Sequence, residues 1–135
     1  MTTPPPTVWP AFRARNAHGL IRFLVDALGF AEVLVVPDGA GGVAHAELAW
    51  PPGGGVMLGS VRDDPDDGWP ARPGTAAAYL VTADVDALHV RAVAAGAVSV
   101  REPNDPPHGG RESSLRDPEG NLWSLGTYRG APRRT

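Results

Sequence analysis

Residues 17–30 read AHGLIRFLVDALGF, and this stretch decides the fold. Leu20, Phe23, Leu24, Ala27 and Leu28 recur at spacings of three and four, which makes one apolar stripe of a helix. Asn16 can cap its start, and Gly29 suits the left-handed residue that ends it. The helix is predicted over 17–28. Residues 84–96, DVDALHVRAVAAG, repeat the design more weakly. Val85, Leu88, Ala92 and Ala95 share a face, Asp84 is the cap and Gly96 the stop, so a second helix is predicted over 85–95.

Outward from the helices the pattern is strands between turns. One set is predicted near 7–14, 31–37, 43–50 and 55–61, and a second near 75–82, 98–102, 110–116 and 121–128. The turns carry PDGAGG, PPGGG, EPNDPPHGG and DPEGN. A shift of residues 8–59 by 67 positions lays them on 75–126 without a gap. Gly29/Gly96, Gly42/Gly109, Leu48/Leu115, Pro51/Pro118, Gly53/Gly120 and Leu58/Leu125 then coincide. The reading is a duplicated βαβββ module, 7–61 and 75–128, with 62–74 as linker and short tails at 1–6 and 129–135. The helix covers one face of each module's sheet, and the other face lines a cleft. Leu48 and Trp123 are expected on the helix side.

Composition narrows the function. One domain is expected from 135 residues. There is no Cys, which excludes disulfides, thiolate metal sites and Cys nucleophiles. All twelve basic residues are Arg, so Lys chemistry is excluded too. The net charge of −3 and the lack of a basic patch argue against a nucleic-acid partner. No apolar run is long enough for a membrane span, and Met1–Thr7 has no signal-peptide pattern, so a cytoplasmic protein is expected. Ser113 and Ser114 lack a nucleophile-elbow context, and the Gly-rich pieces do not open a helix, which argues against a serine hydrolase and nucleotide binding.

Ile21–Phe30 and Asp117-Pro118-Glu119-Gly120-Asn121 resemble two signatures of the vicinal oxygen chelate superfamily, "FY…LGF" and "DPDGN". That group includes glyoxalase I, extradiol dioxygenases and bleomycin-resistance proteins. The resemblance covers about residues 7–128. It implies an α+β fold of two tandem βαβββ modules curled around a cleft, and a homodimer. It also implies four metal stations on the first and last strands of the modules. Here these fall on Trp9, Met57, Ala76 (or Ala77) and Ser124, which do not make a site for a hard divalent ion. No cofactor is expected.

The function expected from the resemblance is metal-free binding of a small molecule, as in the bleomycin-resistance branch. An aromatic cleft suits a flat or apolar ligand, and the acidic run Asp63, Asp64, Asp66 and Asp67 would attract a cationic one. Candidate ligand-binding residues are Trp9, His45, Glu47, Met57, Trp69, Glu112 and Ser124, with no catalytic residue assigned. His45 and Glu47 lie two apart on a strand and so share a face, and the shift maps His45 onto Glu112. An atypical enzyme site at these three is one alternative, and a dimeric interaction module without ligand another. His18 and His89 are expected at the surface or rim, and His108 in solvent.

Overall fold

The computed structural model describes residues 5–63, 68–69 and 71–132. The chain runs β1 (Ala11–Ala14), α1 (Ala17–Phe23), a π-helical turn (Leu24–Leu28), β2 (Ala31–Pro37), β3 (Val43–Ala49) and β4 (Gly55–Ser60). The same order returns as β5 (Ala77–Val81), α2 (Val85–Ala94), β6 (Val98–Asn104), β7 (Glu112–Arg116) and β8 (Leu122–Gly126). The α+β architecture of two βαβββ modules is therefore present. It consists of two four-stranded sheets, ordered β1-β4-β3-β2 and β5-β8-β7-β6, rather than one continuous sheet. Within each, the first and last strands pair in parallel and the remaining neighbours are antiparallel.

The repeat carries a one-residue gap. Ala11 pairs with Met57, and Tyr79 pairs with Ser124, so the first strands are offset by 68 while the last strands are offset by 67. The caps Asn16 and Asp84 are also 68 apart, whereas Gly29 and Gly96 are 67 apart. The extra residue is absorbed between them, in the π-wound turn Leu24–Leu28. A π-turn takes in one more residue than an α-turn without breaking the helix. Both exits are left-handed as expected, with φ of 91° at Gly29 and 110° at Gly96. Asn16 caps α1 by accepting from the Gly19 N–H at 3.0 Å. The Asp84 side chain makes no such bond.

Alternation along the strands separates two faces. Ala46, Leu48, Val56 and Leu58 in the first sheet are buried, as are Ser113, Leu115, Trp123 and Leu125 in the second. Leu48 and Trp123 are thus on the helix side, as expected. Between the modules it is these buried faces that meet. The Trp123 ring lies edge-on to Phe12 at 6.3 Å and to Phe30 at 5.7 Å, so one core runs through both modules.

The second signature is a polar knot under that core. The Asp117 carboxylate, 3% exposed, accepts from the backbone N–H groups of Glu119 and Asn121, from Asn121 Nδ2 and from Trp123 Nε1, all within 3.0 Å. Asn121 Oδ1 in turn accepts from the Ala76 N–H. Glu119 reaches across to module one, accepting from the Arg15 and Asn16 N–H groups at 2.7 and 2.9 Å.

Two further expectations fail. The strand predicted from residue 7 begins at Ala11. His89, expected at the surface, is 2% exposed. Its ring nitrogens face Ser113 Oγ at 2.8 Å and Ser99 Oγ at 2.9 Å, so burial leaves neither unpaired. His18 and His108 are exposed.

Candidate functional site

The half-exposed face of the first sheet carries His45, Glu47, Ala49 and Met57, opposite in phase to its buried side chains. His45 Nε2 and Glu47 Oε2 are 2.8 Å apart, so this pair forms as the spacing suggested. Ala11, Arg13, His45, Met57, Gly59 and Trp69 border a recess of about 180 Å³. Trp69 comes from the linker and lies under the Arg13 guanidinium, 5.0 Å from ring centroid to Cζ, in cation–π geometry. Gly59 permits this floor, because a Cβ there would stand 2.9 Å from the Ala44 carbonyl oxygen.

The second sheet carries the corresponding face separately. Ser124 Oγ is 3.3 Å from Ser114 Oγ, and Glu112 lies 3.7 Å from Arg101. Tyr79 spans the end of β8, donating its hydroxyl to the Tyr128 carbonyl at 2.8 Å. Gly126 is what lets it lie there, since any Cβ would meet the Tyr79 ring. Partial burial pushes the Tyr79 hydroxyl above the usual phenol range.

Of the seven candidates, the chain thus brings together His45, Glu47, Met57 and Trp69. It leaves Glu112 and Ser124 on the other sheet. Trp9 precedes β1, with its indole N–H donated to the Pro6 carbonyl at 3.0 Å and its ring packed over Gly55. Parallel pairing puts Ala11 beside Met57, and Tyr79 beside Ser124, in place of the Trp9 and Ala76 expected there. Ala11, Met57, Tyr79 and Ser124 include no imidazole and no carboxylate, so these residues do not fit a hard divalent ion. Among the described residues no three His, Asp or Glu side chains gather as a metal cluster. Asp64, Asp66 and Asp67 lie outside the described residues.

Arg13 and Tyr79 were missed by the sequence reading. Tyr79 is reached only when the first-strand station moves from Trp9 to Ala11 and the offset becomes 68. Arg13 has no comparable signal, because its stacking depends on where the linker returns Trp69.

With this geometry in place, the comparisons with known proteins are informative. The chain belongs to the glyoxalase/bleomycin resistance protein/dioxygenase superfamily, whose model matches residues 8–125. It is similar in structure to TioX from Micromonospora sp. ML1, with a TM-score of 0.70 at 28% identity, covering 88% of this chain and 97% of that one. A glyoxalase-related enzyme from Fulvimarina pelagi gives 0.68 at 22% identity, over 90% of this chain and 86% of that one. A glyoxylase/bleomycin resistance protein/dioxygenase domain from Frankia sp. EAN1pec gives 0.68 at 17% identity, over 94% and 100%. No curated protein matches the chain significantly. No helix among the described residues is long and apolar enough to cross a membrane.

Proposed function

We propose that this protein binds a flat small molecule on the half-exposed face of its first sheet, without metal and without chemistry. The observation that carries this reading is the recess at Met57, walled by His45 and by Trp69 under Arg13. Its floor has a thioether where a metalloenzyme of this superfamily would need an oxygen or nitrogen donor. Met adapts its shape to flat ligands, and an indole offers a large face at low entropic cost. One face of Trp69 already holds Arg13, so a cationic ligand has to displace that guanidinium, whereas a neutral aromatic can slide beside it.

The reading includes a homodimer. Val33, Leu34 and Val36 on β2 and Val98 and Val100 on β6 are exposed, and these are edge strands of their sheets. Exposed apolar edges invite pairing with a second copy.

Calorimetric titration with aromatic metabolites and cationic antibiotics tests the binding. The expected result is one ligand per chain at micromolar affinity, weakened tenfold or more by Met57→Ala and by Trp69→Ala. Binding indifferent to both substitutions sinks the assignment. Light scattering at micromolar concentration tests the dimer, and a monomer mass overturns it. The His45–Glu47 pair favours a second reading, an enzyme with a Glu-oriented His base. That reading requires turnover of a bound compound that His45→Ala abolishes while leaving its affinity intact.

A further inference from the structure

A second recess, of about 340 Å³, runs along α2 where the modules meet, and it shares no lining residue with the recess at Met57. Its volume lies within the range of small-molecule sites. Module two supplies Asp84, Ala87, Leu88 and Arg91, at spacings of three, one and three, which form one stripe of the helix. Asp84 and Arg91 are seven residues apart, about 10 Å along the axis. The groove therefore has a carboxylate at one end, a guanidinium at the other and apolar surface between. Module one closes it with Leu28, Gly29 and the Trp50–Pro52 turn.

The charges in this groove are not spent on one another. Arg91 donates from Nε to the Ala27 carbonyl at 2.6 Å, which fixes its guanidinium at the exit of the first helix. Its Nη2 lies beside Gly29, 3.5 Å from where a Cβ would stand. Arg129 adds a second cation to the lining, and among the described residues neither arginine has a carboxylate partner. Trp50 forms part of the wall, and its Nε1 is buried with no hydrogen-bond partner.

We propose that this groove binds a flat organic anion, its ring against Trp50 and Leu28 and its anionic group on Arg91, at the end away from Asp84. A guanidinium matches a carboxylate with two parallel hydrogen bonds, and two cations against one carboxylate bias the lining toward anions.

The test is amide NMR of the full chain with 2-naphthoate, and with the neutral 2-naphthamide as its control. Saturable shifts are expected at Gly29 and Ala87 with naphthoate, and at least tenfold weaker binding of the amide. Arg91→Gln should weaken naphthoate tenfold or more, Arg91→Lys should lose less, and Asp84→Asn should tighten it. Met57→Ala should leave the groove titration unchanged, which separates it from the site on the first sheet. Equal affinity for acid and amide, shifts confined to the His45–Met57 face, or no saturable shift would each overturn the proposal. So would Gly29 and Ala87 signals that move on dilution of the protein alone, because a second copy would then be the occupant.

Discussion

A buried histidine with a hydroxyl at each ring nitrogen is satisfied in either neutral tautomer, because a Ser hydroxyl can donate to one nitrogen and accept from the other. That is the situation of His89, between Ser113 on β7 and Ser99 on β6. It ties α2 to two strands through polar contacts, where module one uses Ile21, 68 residues earlier and also buried. The helical stripe read from sequence took Val85, Leu88, Ala92 and Ala95 as the buried face, whereas Ala95 is exposed past the end of α2 and His89 is buried in its stead. The offset of 68 is the signal that places it inside. His89→Ala removes a buried ring and strands the buried Ser113 hydroxyl, while the half-buried Ser99 can turn to water. Urea titration should show a loss of about 2–4 kcal/mol, from the cavity and the unpaired hydroxyl together. A surface histidine would cost no more than about 0.5 kcal/mol, and a loss that small would contradict the burial. His89→Gln, which keeps polar atoms near both hydroxyls, should recover part of the loss.

Among the elements, the two helices explain both what the sequence revealed and what it hid. Periodicity and the left-handed exits Gly29 and Gly96 made the modules legible, because both features are local. The π-turn was not legible. Leu24, Ala27 and Leu28 are apolar and buried, so one extra residue slips in without breaking the stripe. The geometry of the candidate site was legible only where a strand sets it, as at His45 and Glu47, and not where chain return sets it, as at Arg13 over Trp69. Deleting the exposed Asp26 should convert the turn to plain α-helix and bring both modules to one offset. The variant should fold, with a loss of about 1–2 kcal/mol for repacking Leu28. Deleting Val90 from α2 lacks that slack and rotates His89 and Leu88 by about 100° relative to Arg91 and Ala92. Circular dichroism should show that variant unfolded, and equal effects of the two deletions would refute the one-residue account. A different element contact sets an acid limit. Arg111 holds Asp86 of α2 at 2.8 and 2.9 Å and Asp105 at 3.0 Å. The hydrogen bonds from Arg111 lower the Asp86 carboxyl below its ordinary value, and the same contacts raise the Arg111 guanidinium. A lowered carboxyl stabilises the folded state above its unfolded value near pH 4, and that contribution fades as pH falls through the folded value. Asp86→Asn should therefore flatten the fall in melting temperature below about pH 4, and an unchanged slope would remove Arg111–Asp86 from the acid response.

At the level of the whole molecule, the question is whether two modules make one cooperative unit. Among the described residues the sheets share no hydrogen-bonded edge, so cooperativity has to come through the core and the turns between them. Phe12 and Phe30 against Trp123 provide the apolar part. Glu119 provides the polar part, since its carboxylate holds the Arg15 and Asn16 N–H groups at the start of α1. Those amides lie where a helix start carries partial positive charge, so a carboxylate is the better partner there than a neutral amide. The glutamate of the second signature, read from sequence only as part of a turn, thus couples the last strand of module two to the first helix of module one. Glu119→Gln keeps an acceptor and loses the charge, whereas Glu119→Ala leaves both N–H groups to water. A loss of about 1 kcal/mol is expected for Gln and about 2 for Ala, both in a single unfolding transition. Trp123→Phe retains ring contact with Phe12 and Phe30 but leaves one Asp117 oxygen with fewer donors, and it should cost more than either. Two transitions in calorimetry of the Glu119→Ala chain would mean that the aromatic contact alone does not bind the modules into one unit. A single transition at lowered temperature is the result expected of one shared core.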